Sequence, residues 1–190
     1  MYEAAADPYC YPNSTVLRNL PDLRSQNDLD AFEAASTMQR ADEALPPGRL
    51  GVRHYQAVHR HLFQDVYAWA GTFRNVRMAK DASAFCYPEH IAREMQALFA
   101  NLRTKRHLRG LASTQFAAKA AEFLSTLNAI HPFREGNGRT QTLFVALIAD
   151  RAGHPLDLEQ LEPDRFLAAM VASFRGDTLA LTTEIERLVQ

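Results

Sequence analysis

Two strongly periodic stretches, STQFAAKAAEFLSTLNAIH and a run from about Gly138 to Ala152, meet across a turn of six or seven residues. In the first, Phe116, Ala120, Phe123, Leu127 and Ile130 recur at the 3.6-residue spacing of one helix face. The second turns Leu143, Phe144, Leu147 and Ile148 inward and is closed by Gly153, a residue suited to a left-handed C-terminal cap. The many alanines of the first stretch allow close helix packing. Its end is set by Pro132, because a residue before proline avoids the α region. A tight helix–loop–helix over 115–152 is therefore the expected core.

The remaining segments fit around such a pair. A helix is expected from Asn27 to about Glu43, with Leu29, Phe32, Ala35 and Ser36 on one face and LPPG at 45–48 ending it. A second should run from Val52 to about Trp69, with Tyr55, Val58, Leu62 and Val66 inward and Gly71 as its cap. Pro88 opens a third, burying Ile91, Met95, Leu98 and Leu102. Two more are expected near 163–174 and 177–189. The stretch FRNVRMAKDASAFCYP instead reads as two short strands around Lys80-Asp81-Ala82-Ser83, a hairpin over 73–87. Residues 1–26, with Pro8, Pro12 and Pro21, suggest an extended arm. The expected architecture is all-α: one domain, 1–190, a helical bundle carrying one small β-hairpin.

Charge narrows the partners. A net charge of −1 gives no global attraction to a polyanion, so direct nucleic-acid binding is not expected. The local cluster Arg103, Lys105, Arg106, His107 and Arg109 reads as a solvated helix end. Cys10 and Cys86 form no metal spacing, and two thiols fit a reducing cytosol. The N-terminus lacks the pattern of a signal peptide, and the longest apolar run, LFVALIA, is far too short to span a bilayer. The expectation is a cytoplasmic chain with no membrane partner.

The loop HPFREGNGR concentrates chemistry. Gly136 and Gly138 permit backbone angles closed to other residues, so consecutive N–H groups can converge at the mouth of the next helix. That helix end favours an anion. Arg139 adds a guanidinium that can grip phosphate with two N–H groups, and Asn137 one further donor. Glu135 would repel a phosphate unless Mg²⁺ lies between them, with oxygen ligands from both. His131, on the other lip, has the side chain best suited to general-base work near neutral pH. A phosphate cradle, a metal carboxylate and a base describe transfer of a phosphorus-centred group from a nucleotide to a hydroxyl. The plain alternative is a tight helical corner with a surface histidine; five features at this spacing weigh against it.

These residues resemble the signature of the Fic family, HxFx(D/E)GNGRxxR, matched at His131, Phe133, Glu135, Gly136, Asn137, Gly138 and Arg139. HRHLFQDVYAWAGTFRNV, AFCYPEHI and FRGD agree as well, and DPYCYP followed by VLRN resembles the N-terminus of short bacterial Fic toxins. The resemblance implies a Fic-type bundle with a hairpin flap and a protein adenylyltransferase that uses ATP and Mg²⁺. In that case His131 deprotonates a target hydroxyl and Glu135 holds Mg²⁺. Gly136, Asn137 and Gly138 bind the α- and β-phosphates, Arg139 stabilises the leaving pyrophosphate, and Phe133 packs beneath the loop. The flap would pair with an extended segment of the target protein, with Lys80 and Phe85 as its candidate contacts. The resemblance further implies a target among DNA gyrase and topoisomerase IV and a small separate antitoxin. Neither STMQRAD nor TTEIER supplies the internal inhibitory (S/T)xxxE(G/N) motif.

One position departs from the pattern. Thr142 stands where the signature has a second arginine, one turn beyond Arg139. It leaves open a diverged Fic protein with altered donor use or low activity, or a non-catalytic nucleotide-binding protein. Arg175, in FRGD with Phe174 and Asp177, is the candidate replacement cation, although Asp177 also suits a helix cap. His54 and His61 share a helix face that His59 leaves, and no carboxylate or cysteine completes a metal set. His90 and His154 read as surface residues.

Overall fold

The computed structural model of the chain describes residues 7–80 and 83–190, with the backbone alone at Lys80 and Ser83. Among the described residues, seven α-helices and one two-stranded antiparallel hairpin form the fold. The helices are α1 Gln26–Ala41, α2 Val52–Phe63, α3 Pro88–Thr104, α4 Ser113–Ile130, α5 Asn137–Ala152, α6 Pro163–Phe174 and α7 Leu179–Leu188. The all-α expectation holds. Helix α4 is central: α3, α5, α6 and α7 all pack on it, while α1 lies on α2 and α2 on α5.

The expected stripe explains this position. Phe116, Ala120, Phe123, Leu127 and Ile130 are all buried, and Ala117 and Ala121 add small side chains that admit neighbouring backbones. Burying one such phenylalanine stabilises the fold by about 1.5–3 kcal/mol. On α1 the inward face differs from expectation. Leu29 and Thr37 are buried, Glu33 and Phe32 half-buried, and Ala35 faces solvent. A carboxylate faces inward here because Arg139 and the Tyr67 hydroxyl both bond to it.

Helix α2 stops six residues earlier than its periodicity suggests. Val66 and Tyr67 remain buried, but the chain leaves Phe63 through a turn in which both their N–H groups donate to the Phe63 carbonyl. Gly71 is not the cap of α2. It lies beside the helix with φ +82, its N–H donating to His59 Nδ1 (2.8 Å) and its carbonyl accepting from Gln56 Nε2 (3.0 Å). An added Cβ there would come within 2.9 Å of Arg60 Cβ and the Gln56 carbonyl. Side chains of α2 itself therefore draw the chain back against it.

The hairpin is shorter than expected: β1 is Ala79–Lys80 and β2 Ser83–Ala84, so Phe73 and Val76 lie outside any strand. Asp81 and Ala82, and the side chain of Lys80, fall outside the described residues. Phe85 N–H extends the pairing to the Met78 carbonyl at 3.1 Å. The N-terminal arm is irregular, held by a bridge between Cys10 and Leu17 and by the Tyr9 ring edge-on to Trp69. No described helix is long and apolar enough to cross a membrane.

Candidate active site

The loop between α4 and α5 is braced from below. Helix α4 ends at Ile130, and His131 takes the left-handed conformation, φ 48, which turns the chain into Pro132. Phe133 is fully buried, its ring 3.7 Å from that of His59 and 5.4 Å from Tyr55. The Asn137 side chain grips Phe133 twice: Oδ1 accepts its N–H (2.9 Å) and Nδ2 donates to its carbonyl (2.8 Å). Gly136 has φ +79, and a Cβ there would lie 2.2 Å from the Phe63 ring. No side chain larger than hydrogen fits. Phe133 thus packs as expected, whereas the Asn137 amide holds the loop together and is not turned toward a ligand.

His59, not recognised in the sequence, is the buried pivot. Its Nδ1 accepts the Gly71 N–H, so Nε2 carries the proton and donates to the Glu135 carbonyl at 3.0 Å. Burial, more than the nearby Arg139, lowers its pKa to about 4 and keeps the ring neutral. His54 is also buried, bonded to the Pro46 carbonyl, and half-buried His61 reaches the Arg40 carbonyl. Among the described residues no cluster of three metal-ligating side chains occurs, so the three histidines serve the backbone. His154, expected at the surface, is half-buried against Phe116 and bonded to the Leu111 carbonyl.

Above this base lie the charged groups. Arg139 is in the first turn of α5, with its guanidinium 4.7 Å from the centre of the Phe63 ring. It ion-pairs with Glu33 of α1, donates to Thr37 Oγ1 (3.1 Å) and lies 3.7 Å from Glu135. The second oxygen of Glu33 accepts the Tyr67 hydroxyl. Burial first, then that bond, raises the Tyr67 pKa. Glu135 keeps a half-exposed carboxylate, with one oxygen accepting the Gly136 N–H at 2.8 Å. One carboxylate cannot hold Mg²⁺ alone, but Mg²⁺ commonly binds through one or two carboxylates, substrate phosphates and water. Glu135 fits that role, and among the described residues no other acidic side chain lines the cavity.

The flap is stapled to the loop by Arg74, a second residue that the sequence did not single out. Its buried guanidinium donates to the carbonyls of His131 (2.8 Å), Val76 (2.6 Å), Cys86 (2.7 Å) and Ile130 (3.3 Å). Its own N–H donates to the Pro132 carbonyl. Phe85 consequently lies flat on the His131 imidazole, centroids 4.0 Å apart at 16°, and Phe174 meets Phe85 edge-on at 5.5 Å. From the arm, Asp7 pairs with Arg134 at 2.8 Å.

These groups border one cavity of about 840 Å³. His131, Glu135, Gly138, Arg139 and Phe85 line it, as do Thr142, Phe174 and Arg175. Gly138 faces open space, as a ligand-facing backbone requires. Phe133, Gly136 and Asn137 lie behind the loop and shape it. Asp177 stays with α7, accepting the Leu179 N–H at 3.0 Å. Leu161, Phe166 and Leu167 supply an apolar wall. The arrangement can hold a polyphosphate beside a histidine, with an apolar surface for a base or sugar.

Comparison with known proteins agrees with this geometry. Residues 49–149 match the model of the Fic/DOC family. A probable protein adenylyltransferase of Sinorhizobium fredii, y4lH, is 51% identical over 189 residues, covering 99% of this chain and 98% of the relative. The probable protein adenylyltransferase Fic of Escherichia coli is 32% identical over 185 residues, covering 96% and 92%. Among solved structures, the N-terminal Fic domain of a Bartonella quintana cell filamentation protein, with bound ADP, superposes with a TM-score of 0.87. It is 27% identical and covers 96% of this chain and 94% of that one. By family match, by near-full-length identity and by fold, the chain belongs to the Fic/DOC family.

Proposed function

We propose that this Fic-family protein adenylyltransferase moves AMP from ATP onto a hydroxyl side chain of a target protein, with His131 as base. The supporting observation is the single cavity that collects His131, Glu135, Gly138 and Arg139 beside an apolar wall. The target oxygen attacks the α-phosphorus of ATP, and its proton passes to the His131 imidazole. The bond from the α-phosphorus to the bridging oxygen breaks, and pyrophosphate leaves with that oxygen. Gly138 offers backbone N–H contact at the mouth of α5, while Gly136 and Asn137 hold the loop in shape for it. Arg139 neutralises charge that grows on the departing phosphates. Glu135 would hold Mg²⁺, which when bound supplies further charge neutralisation there.

Phe85 and Arg74 fix the plane and position of the imidazole. The hairpin edge around Ala79–Lys80 and Ser83–Ala84 is suited to strand addition by an extended target segment. The resemblance to short bacterial Fic toxins supports a type II topoisomerase as target, in the cytoplasm, and a separate small antitoxin as restraint. The test uses bacterial lysate, Mg²⁺ and isotope-labelled ATP, with mass spectrometry of the proteins. Wild-type chain should add AMP to a discrete target, and His131→Ala should slow this by roughly 10²–10⁴-fold. Equal modification by the mutant would remove the base from the scheme.

A further inference from the structure

Two arginines line the cavity, and their situations are opposite. Arg139 is engaged by Glu33 and Thr37 of α1, and Glu135 lies near. Arg175, just past the end of α6, is exposed, and its guanidinium makes no hydrogen bond or ion pair with any described residue. Position 142 offers no cation in compensation. The Thr142 hydroxyl lines the same cavity but donates back to the Gly138 carbonyl at 3.1 Å.

Charge counting shows what Arg175 contributes. Among the described residues, without it Arg139, Glu135 and the Glu33 carboxylate on Arg139 leave the site with one net negative charge, which repels a polyphosphate. With Arg175 the same groups are neutral, and the added cation has all its donors available. Its position is not that of a loose surface residue. Phe174, its neighbour, packs on Phe85, which lies on His131, so the end of α6 is tied to the base by two ring contacts.

We propose that Arg175 is a specificity-determining residue that binds the phosphate chain of the nucleotide, supplying from α6 the second cation that α5 lacks at Thr142. This rests on the reading of the cavity as a nucleotide site. Because it reaches in from the end of a different helix, the phosphate chain is gripped from two sides, by Arg139 on α5 and Arg175 just past the end of α6.

Calorimetric titration with ATP and with adenosine tests this on wild-type, Arg175→Ala and Arg175→Lys proteins and on the double variant Thr142→Arg/Arg175→Ala. Loss of Arg175 should weaken ATP binding about ten- to a hundredfold, the range of a lost charged hydrogen bond, and leave adenosine binding unchanged. Lysine should restore part of the affinity, and the double variant most of it. Unchanged ATP binding by Arg175→Ala, or an equal loss for adenosine, would overturn the assignment while the nucleotide site stands. So would full ATP affinity with lost transfer to protein, which would place Arg175 on the target. A wild-type protein that binds no ATP would overturn the reading of the cavity itself, and the Arg175 assignment with it. Arg175→Gln and the circular dichroism of each variant separate a binding loss from misfolding.

Discussion

Glu33 of α1 and Arg139 of α5, 106 residues apart, form an ion pair at the edge of the cavity, and Tyr67 holds the far oxygen of the carboxylate. An anion there both fixes the guanidinium and opposes an incoming phosphate. Because only two of the five guanidinium N–H groups are taken up by Glu33 and Thr37, orientation needs less than the full charge. Glu33→Gln keeps an acceptor but loses the charge. It should tighten ATP binding by about two- to fivefold, the modest effect of a partly exposed charge, as measured by fluorescence competition at low salt. Weaker binding would mean that the carboxylate chiefly organises Arg139.

Arg74 carries its charge into the interior with no carboxylate partner among the described residues; carbonyl dipoles alone surround it. Burial lowers its pKa. Arg74→Ala would strand several carbonyls, so a destabilisation of about 3 kcal/mol is expected, with a melting-point drop of roughly 6–12 °C in thermal denaturation. Arg74→Lys should recover only part, because one ammonium cannot reproduce the planar fork.

The two loop glycines should fail differently. At Gly136 a methyl would meet the Phe63 ring at 2.2 Å in a left-handed backbone, so Gly136→Ala should lower stability by about 2–3 kcal/mol. Gly138 lies inside α5 with nothing within 4 Å, so alanine should leave stability equal or raise it by up to about 1 kcal/mol. Its methyl would instead enter the ligand space and weaken ATP binding. Urea denaturation and ATP titration on both variants check the contrast.

His59 gives the fold a pH dependence of known sign. Its folded pKa, about 4, lies below the unfolded value of 6.5, so the unfolded chain binds the extra proton first. Its stabilising contribution is complete above pH 6.5 and is lost as pH falls toward 4, by up to about 3 kcal/mol. An NMR titration should show the His59 ring neutral through pH 5. Protonation near 6.5 would contradict the buried, two-bonded geometry.

How much of this was legible depended on sequence distance. HPFREGNGR could be read because its chemistry is local, and the helices α3 to α7 because their periodicity is strong. The early end of α2 could not be: its apolar spacing continues into Val66, and the groups that fold the chain back are His59 and Gln56, side chains of the helix itself. Glu33 looked like one more charge on a surface helix, since its partners lie 34 and 106 residues away. Arg74 likewise acquires meaning only when His131 and Cys86 converge on it. Asn137 was expected to donate to a ligand, but its amide braces Phe133, a contact four residues away that the phosphate-binding pattern gave no reason to expect.

The most direct measurement compares ATP labelled at the α-phosphate with ATP labelled at the γ-phosphate, each incubated with wild-type protein, Mg²⁺ and bacterial lysate. Protein-bound label is expected from the α-labelled nucleotide alone, and it should be abolished in His131→Ala. Label from the γ-phosphate would contradict it, and so would no label from either under conditions where another Fic adenylyltransferase marks its target.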